Sequence, residues 1–295
     1  MSHNTPKQHT LWLLAAIAAP AAHFSGSGWF VTALTALAVL PLMLLPKSWE
    51  GMPKSGAVLQ ILWLGVAAGA LLPASAAYWP SDNDLVVPLT LLTLAAFTGA
   101  SSAPRVGAVL AFCMALLAIP AAVSGAAHAE PEWLRPQLTP WPLGLTLVLL
   151  LPNLPAAGES EKGKRILGAA AAVIAPALLV QAVTSTPVAL AAPDPLYQTA
   201  RGLGHLEPVV AAGMTLGWYA LACWLFHSAV QIAKGGGMGE RLPYVLVWGT
   251  ATALVLFRQQ PGAGFLTVLS LFWWVITPFF QKMKKSEKRC LTNGG

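Results

Sequence analysis

Two proline-bearing stretches are where this chain could hold a small polar molecule. One reads LLAAIAAPAAHFSGSG and contains Pro20; the other reads LGLTLVLLLPNLPAAG and contains Pro152, Asn153 and Pro155. Proline removes a backbone donor and frees the carbonyl one turn before it. Amides left free at a half-helix N-terminus suit a carboxylate, and freed carbonyls suit an ammonium group. The candidate ligand contacts are therefore Ala15, Ala16, Ala19 and Pro20 on one side and Leu151, Pro152, Asn153 and Pro155 on the other. Trp218 and Tyr219, with Gly213 and Gly217 nearby, are candidates to wall the pocket. The competing readings are ordinary proline kinks and plain helix packing.

Other chemistry is sparse. His23 and His227 are nearly the sole titratable groups inside apolar runs, and both read as hydrogen-bonded histidines or as site residues. Cys113 and Cys223 fall in apolar runs and Cys290 in the basic tail, with no CxxC and no His/Cys cluster of metal spacing. All 11 acidic residues lie in loops or at the ends of apolar runs. Proton-coupled pumps usually carry buried carboxylates, so the pattern argues against proton coupling more than against transport. No G-x-S-x-G, H-E-x-x-H or P-loop occurs. The expectation is a protein that is not an enzyme and needs neither metal nor cofactor.

The elements that must position these residues are membrane helices. Charged residues are 9% of the 295 positions and hydrophobic residues 56%, whereas a soluble domain carries roughly a quarter charged. Basic residues punctuate the gaps between apolar runs, which is a membrane pattern and not a nucleic-acid-binding one. Ten runs qualify, at roughly 10–23, 28–46, 56–77, 86–100, 104–124, 141–157, 166–184, 207–233, 241–257 and 262–281. The first is read as a span, not a cleavable leader, because a second run follows almost at once. With both termini cytoplasmic, 14 of the 17 Lys and Arg fall inside, leaving Arg135, Arg201 and Arg258 outside. That asymmetry follows the positive-inside rule. Trp79, Trp133 and Trp141 fall near the outer boundary and Trp49 near the inner one.

The expected fold is an all-α integral membrane protein of ten transmembrane helices. Residues 1–125 form a first five-helix repeat and 126–140 an extracellular connection. Residues 141–281 form a second repeat and 282–295 a basic cytoplasmic tail. Five is odd, so the second half enters the membrane inverted, and helices 1 and 6 are the expected broken pair.

Several stretches resemble the B subunits of spore germinant receptors, members of the amino acid–polyamine–organocation transporter superfamily. Pro20 leads into Ser27-Gly28-Trp29, and the loop before the sixth span reads Glu132-Trp133-Leu134-Arg135-Pro136. The nearest match is Pro195-Leu196-Tyr197-Gln198-Thr199-Ala200-Arg201, followed by Leu206-Glu207. The resemblance implies a sensor in the spore inner membrane that binds a small nutrient such as an amino acid and works with A-type and C-type receptor subunits. It also implies that Tyr197, Arg201 and Glu207 form an extracellular latch over the cavity; a solvated pair is the alternative. The superfamily's glycines in the first helix break are replaced here by Ala15, Ala16, Ala18 and Ala19. Three functions stay open: a germinant receptor subunit, a secondary amino acid transporter, and a non-binding membrane scaffold.

Overall fold

A computed structural model describes residues 54–79, 83–98, 197 and 207–257. Among them the chain is entirely helical: α1 (Lys54–Leu71), a 3₁₀ segment (Leu72–Tyr78), α2 (Val86–Thr98), α3 (Glu207–Gly235) and α4 (Arg241–Phe257). These helices fall on four of the expected spans, 56–77, 86–100, 207–233 and 241–257. The spans 10–23, 28–46, 104–124, 141–157, 166–184 and 262–281, the repeat boundaries and both termini lie outside the described residues. Two helical stretches, Lys54–Tyr78 and Glu207–Gly235, are long and apolar enough to cross a membrane.

Local sequence explains where each element begins and ends. Pro73 has no N–H to give to the carbonyl one turn back, so α1 cannot continue as an α-helix. The chain tightens instead into seven residues of 3₁₀ helix, Leu72–Tyr78. Such runs usually stop after 3–4 residues. Here Ser75 Oγ donates to the Leu72 carbonyl at 2.6 Å. With three residues per turn, Leu72, Ser75 and Tyr78 share one face, and all three are buried. The expected regular span over 56–77 is thus a helix with a different last segment, and Pro73 is the cause.

Asn83 then starts α2. Its side-chain oxygen accepts from Leu85 N at 3.0 Å and its carbonyl from Val86 N at 3.2 Å. This is the local capping that asparagine provides at helix starts. Pro88 and Pro243 stand in the first turns of α2 and α4, where a missing N–H costs nothing. α3 ends in a left-handed cap. Gly237 has φ 66°, Met238 N donates to Ala233 O at 2.9 Å, and Gly237 N to Lys234 O at 3.1 Å. That pair of bonds is a Schellman motif, which satisfies carbonyls the helix end would otherwise strand. Glu207 in the first turn and Lys234 in the last complement the helix dipole.

The packing is set by close approach. α4 lies most extensively against α1. A Cβ added to Gly65 would meet Thr250 Cβ at 2.8 Å, and one added to Gly69 would meet Leu254 Cβ at 2.8 Å. Residue numbers rise together along this seam, so α1 and α4 run parallel. The α3–α4 turn returns to the start of α1, with Gly236 seated against Ala57. Trp79 reaches Thr215, near the start of α3, so α3 runs antiparallel to α1. Thr93 of α2 meets Trp248 of α4, and Thr98 meets Tyr219 of α3, so α2 runs alongside α3. Trp218, Trp224 and Phe226 of α3 are fully buried.

This arrangement sorts the described charges by end. Lys54, Lys234, Glu240 and Arg241 lie at the end where α1 and α4 begin, and Asp84 and Glu207 at the opposite end. Lys234 and Glu240 pair at 3.0 Å on the exposed surface, a contact worth at most about 1 kcal/mol.

The seam gives a stability test. Gly65→Ala or Gly69→Ala should each destabilise the protein by about 1–3 kcal/mol, because backbone and Cβ atoms on α4 must move. Gly249→Ala on the open side of α4, with nothing within 4 Å, should be nearly neutral. Thermal unfolding of the three variants in detergent makes the comparison. Gly237→Ala should cost about 1 kcal/mol in the same assay, because its φ is positive.

Candidate functional site

The residues brought together at the acidic end come from three separate parts of the chain. The buried face of the 3₁₀ segment delivers Tyr78, whose ring stands edge-on to Tyr197 with centroids 5.3 Å apart. Edge-to-face is the geometry that aromatic quadrupoles favour. Tyr197 is itself buried, and its Oη donates to Glu207 Oε1 at 2.8 Å. Glu207 opens α3. The carboxylate thus ties residue 197 to the first turn of α3, and the aromatic contact ties it to the end of the broken span. Arg201, the third member of the expected latch, lies outside the described residues.

Beside this joint runs a second polar chain. Trp79 leaves the 3₁₀ segment in an extended conformation. Its Nε1 donates to Thr215 Oγ1 at 2.6 Å, and Thr215 Oγ1 donates to the Ala211 carbonyl at 2.7 Å. Both ends of the indole–threonine–carbonyl relay are therefore satisfied within the protein, which groups at the edge of a nonpolar phase require.

Deeper along α3, Tyr219 shares a hydrogen bond with Thr98 of α2, although the two residues are 121 positions apart. Thr98 also donates to the Leu94 carbonyl at 2.6 Å. Thr215, Tyr219, Cys223 and His227 follow one another at four-residue steps, so one ridge of α3 carries most of its polar side chains. Tyr219 lies about 18 Å along α3 from Glu207 at 1.5 Å per residue, which is mid-depth for a spanning helix. His227 sits at a tilt against Trp224, with centroids 6.2 Å apart.

The sequence-based candidates divide as follows. Trp218 and Tyr219 occupy α3, with Trp218 wholly buried in the packing and Tyr219 engaged with Thr98. Tyr197 and Glu207 meet directly. Ala15, Ala16, Ala19, Pro20, Leu151, Pro152, Asn153 and Pro155 lie outside the described residues, as does His23. The helix break at Pro73, and the partners Tyr78, Thr98 and Thr215, were not singled out in the sequence. The proline was a usable signal for the break, whereas pairings across more than 100 positions leave no mark in a single sequence. Among the described residues no group of three or more His, Cys, Asp or Glu could hold a metal ion. No protein-family model matches the chain, and no curated protein matches it in sequence.

The joint can be tested by removing one atom. Tyr197→Phe keeps the ring on Tyr78 but leaves Glu207 without this donor, so it should lower stability by about 1–3 kcal/mol. Glu207→Gln keeps an acceptor and should cost less. Melting temperatures of the two variants measure the difference.

Proposed function

We propose that this chain is a polytopic membrane protein of ten spans in a five-plus-five inverted repeat, with both termini cytoplasmic. We further propose that it serves as the membrane subunit of a spore germinant receptor in the spore inner membrane. In this reading a small nutrient such as an amino acid binds at mid-membrane, and A-type and C-type subunits receive the signal. The membrane half is supported by two helices of spanning length and by the gathering of all three described basic residues, Lys54, Lys234 and Arg241, at one end. The basic end would then face the cytoplasm.

One observation carries the receptor half. Tyr197 and Glu207, which belong to the stretch most similar to the receptor family, are joined at 2.8 Å at the acidic end. A tie between the 195–207 stretch and the first turn of α3 is a contact that two states of a helix bundle could hold and release. A ligand that prefers one state would shift the balance between them.

A ligand screen on the purified full-length chain tests this. An amino acid at ten times its dissociation constant should stabilise the protein by about 1.4 kcal/mol, read as a rise in melting temperature. Bulky substitution at Ala19 or Asn153 should abolish that rise. If no amino acid at millimolar concentration shifts the melting temperature, the binding claim fails. Ligand-dependent uptake of labelled amino acid into proteoliposomes would replace the receptor by a transporter.

A further inference from the structure

The outward sides of α2 and α4 carry an unusual pattern. On α2, Val86, Leu94 and Phe97 are exposed; on α4, Val245, Trp248 and Leu256 are exposed. Their spacings of eight and three residues place each set on one helical stripe. Phe97 is 88% exposed and Val245 66%. An amphipathic helix in water turns such a stripe inward and shows its charges outward. Here the described charges avoid both stripes and lie toward the ends of the bundle.

The polar atoms on these stripes behave accordingly. Trp248 is 41% exposed, yet its Nε1 donates to Thr93 Oγ1 of α2 at 3.2 Å. Thr98, also exposed, gives its hydroxyl proton to the Leu94 carbonyl and meets Tyr219. Trp248 lies about 10 Å inside α4 from its nearer end, well below the interfacial belt where tryptophan normally keeps its N–H wet. An indole bathed in water needs no protein acceptor, whereas one bathed in hydrocarbon has no other source.

We propose that the exposed stripes of α2 and α4 form a lipid-facing wall occupied by acyl chains, within which the Trp248–Thr93 hydrogen bond is sealed from water. This rests on the membrane half of the reading above and is independent of the receptor half.

The test uses the full chain in phosphatidylcholine vesicles, with Cys113, Cys223 and Cys290 replaced by serine. Single spin-labelled cysteines are placed at Phe97, Val245 and Leu256, with Gly239 in the α3–α4 turn as the aqueous control. The wall predicts frequent collision with dissolved oxygen and little with a water-soluble nickel chelate at the three wall positions, and the reverse at Gly239. Frequent nickel collision at Phe97 and Val245 would mean that this face lines an aqueous cavity. Protection from both reagents would mean that protein covers it. Either result overturns the proposal. The membrane reading fails separately, if alkaline carbonate releases the protein from the vesicles.

A second measurement does not depend on labelling. Thr93→Val should lower the melting temperature in vesicles, and adding Trp248→Phe should restore most of the loss, because the stranded donor is then gone. A Thr93→Val protein that melts like the parent would show that water reaches the indole, and the wall would not stand.

Discussion

The close approach of α1 and α4 at Gly65 and Gly69 governs the remaining geometry. A side chain at either glycine would collide with the facing helix at 2.8 Å. In hydrocarbon, helix association gains little from burying apolar surface, because lipid is as apolar as leucine. Contact area and short backbone distances must supply the attraction, and glycine permits both. With α1 and α4 held in parallel, α3 runs antiparallel beside both and reaches α4 through the Gly235-Gly236-Gly237 turn, its large aromatics buried. α2 then lies along α3 and meets α4 through Thr93.

A second regularity concerns polar groups. Several polar side chains in the described helices find partners close at hand, although Gln60, Trp63, Ser228 and Thr252 each keep a buried polar atom without one. Ser75 returns to the Leu72 carbonyl, Thr98 to Leu94 and Thr215 to Ala211, while the indoles of Trp79 and Trp248 use threonines on neighbouring helices. Threonine serves both purposes. Its hydroxyl gives a proton back to its own helix and takes one from a neighbour. Where a proline removes a main-chain donor at residue 73, the chain continues as a tighter helix, within which Ser75 donates to the Leu72 carbonyl. The polar groups are also the cross-links between helices, so satisfying them and fixing the packing are one task.

The acidic end draws on both. The 3₁₀ segment exists because of Pro73, and its three-residue period turns Tyr78 inward with Leu72 and Ser75. An α-helical continuation would have rotated Tyr78 away from that face. Tyr197 docks on the ring so placed, and its hydroxyl reaches the carboxylate that opens α3. A backbone rule at one proline therefore decides where a joint between distant segments can form.

Much of the framework was legible in the sequence. The apolar runs and the charges between them located all four described helices, two of which are long and apolar enough to cross a membrane. Tyr197 and Glu207 were both candidates in the sequence, and they meet directly. The break near the end of α1 is encoded by Pro73, within a run that otherwise reads as one continuous span. The glycine pair at 65 and 69 carried the spacing of a helix-packing motif without naming its partner. Which helices touch, and so which hydroxyl meets Tyr219, which ring meets Tyr197 and which threonine receives Trp248, only the tertiary structure decided. Composition and local propensity fix a residue's phase and its own helix. Pairings between residues more than 100 positions apart depend on the packing of every helix at once.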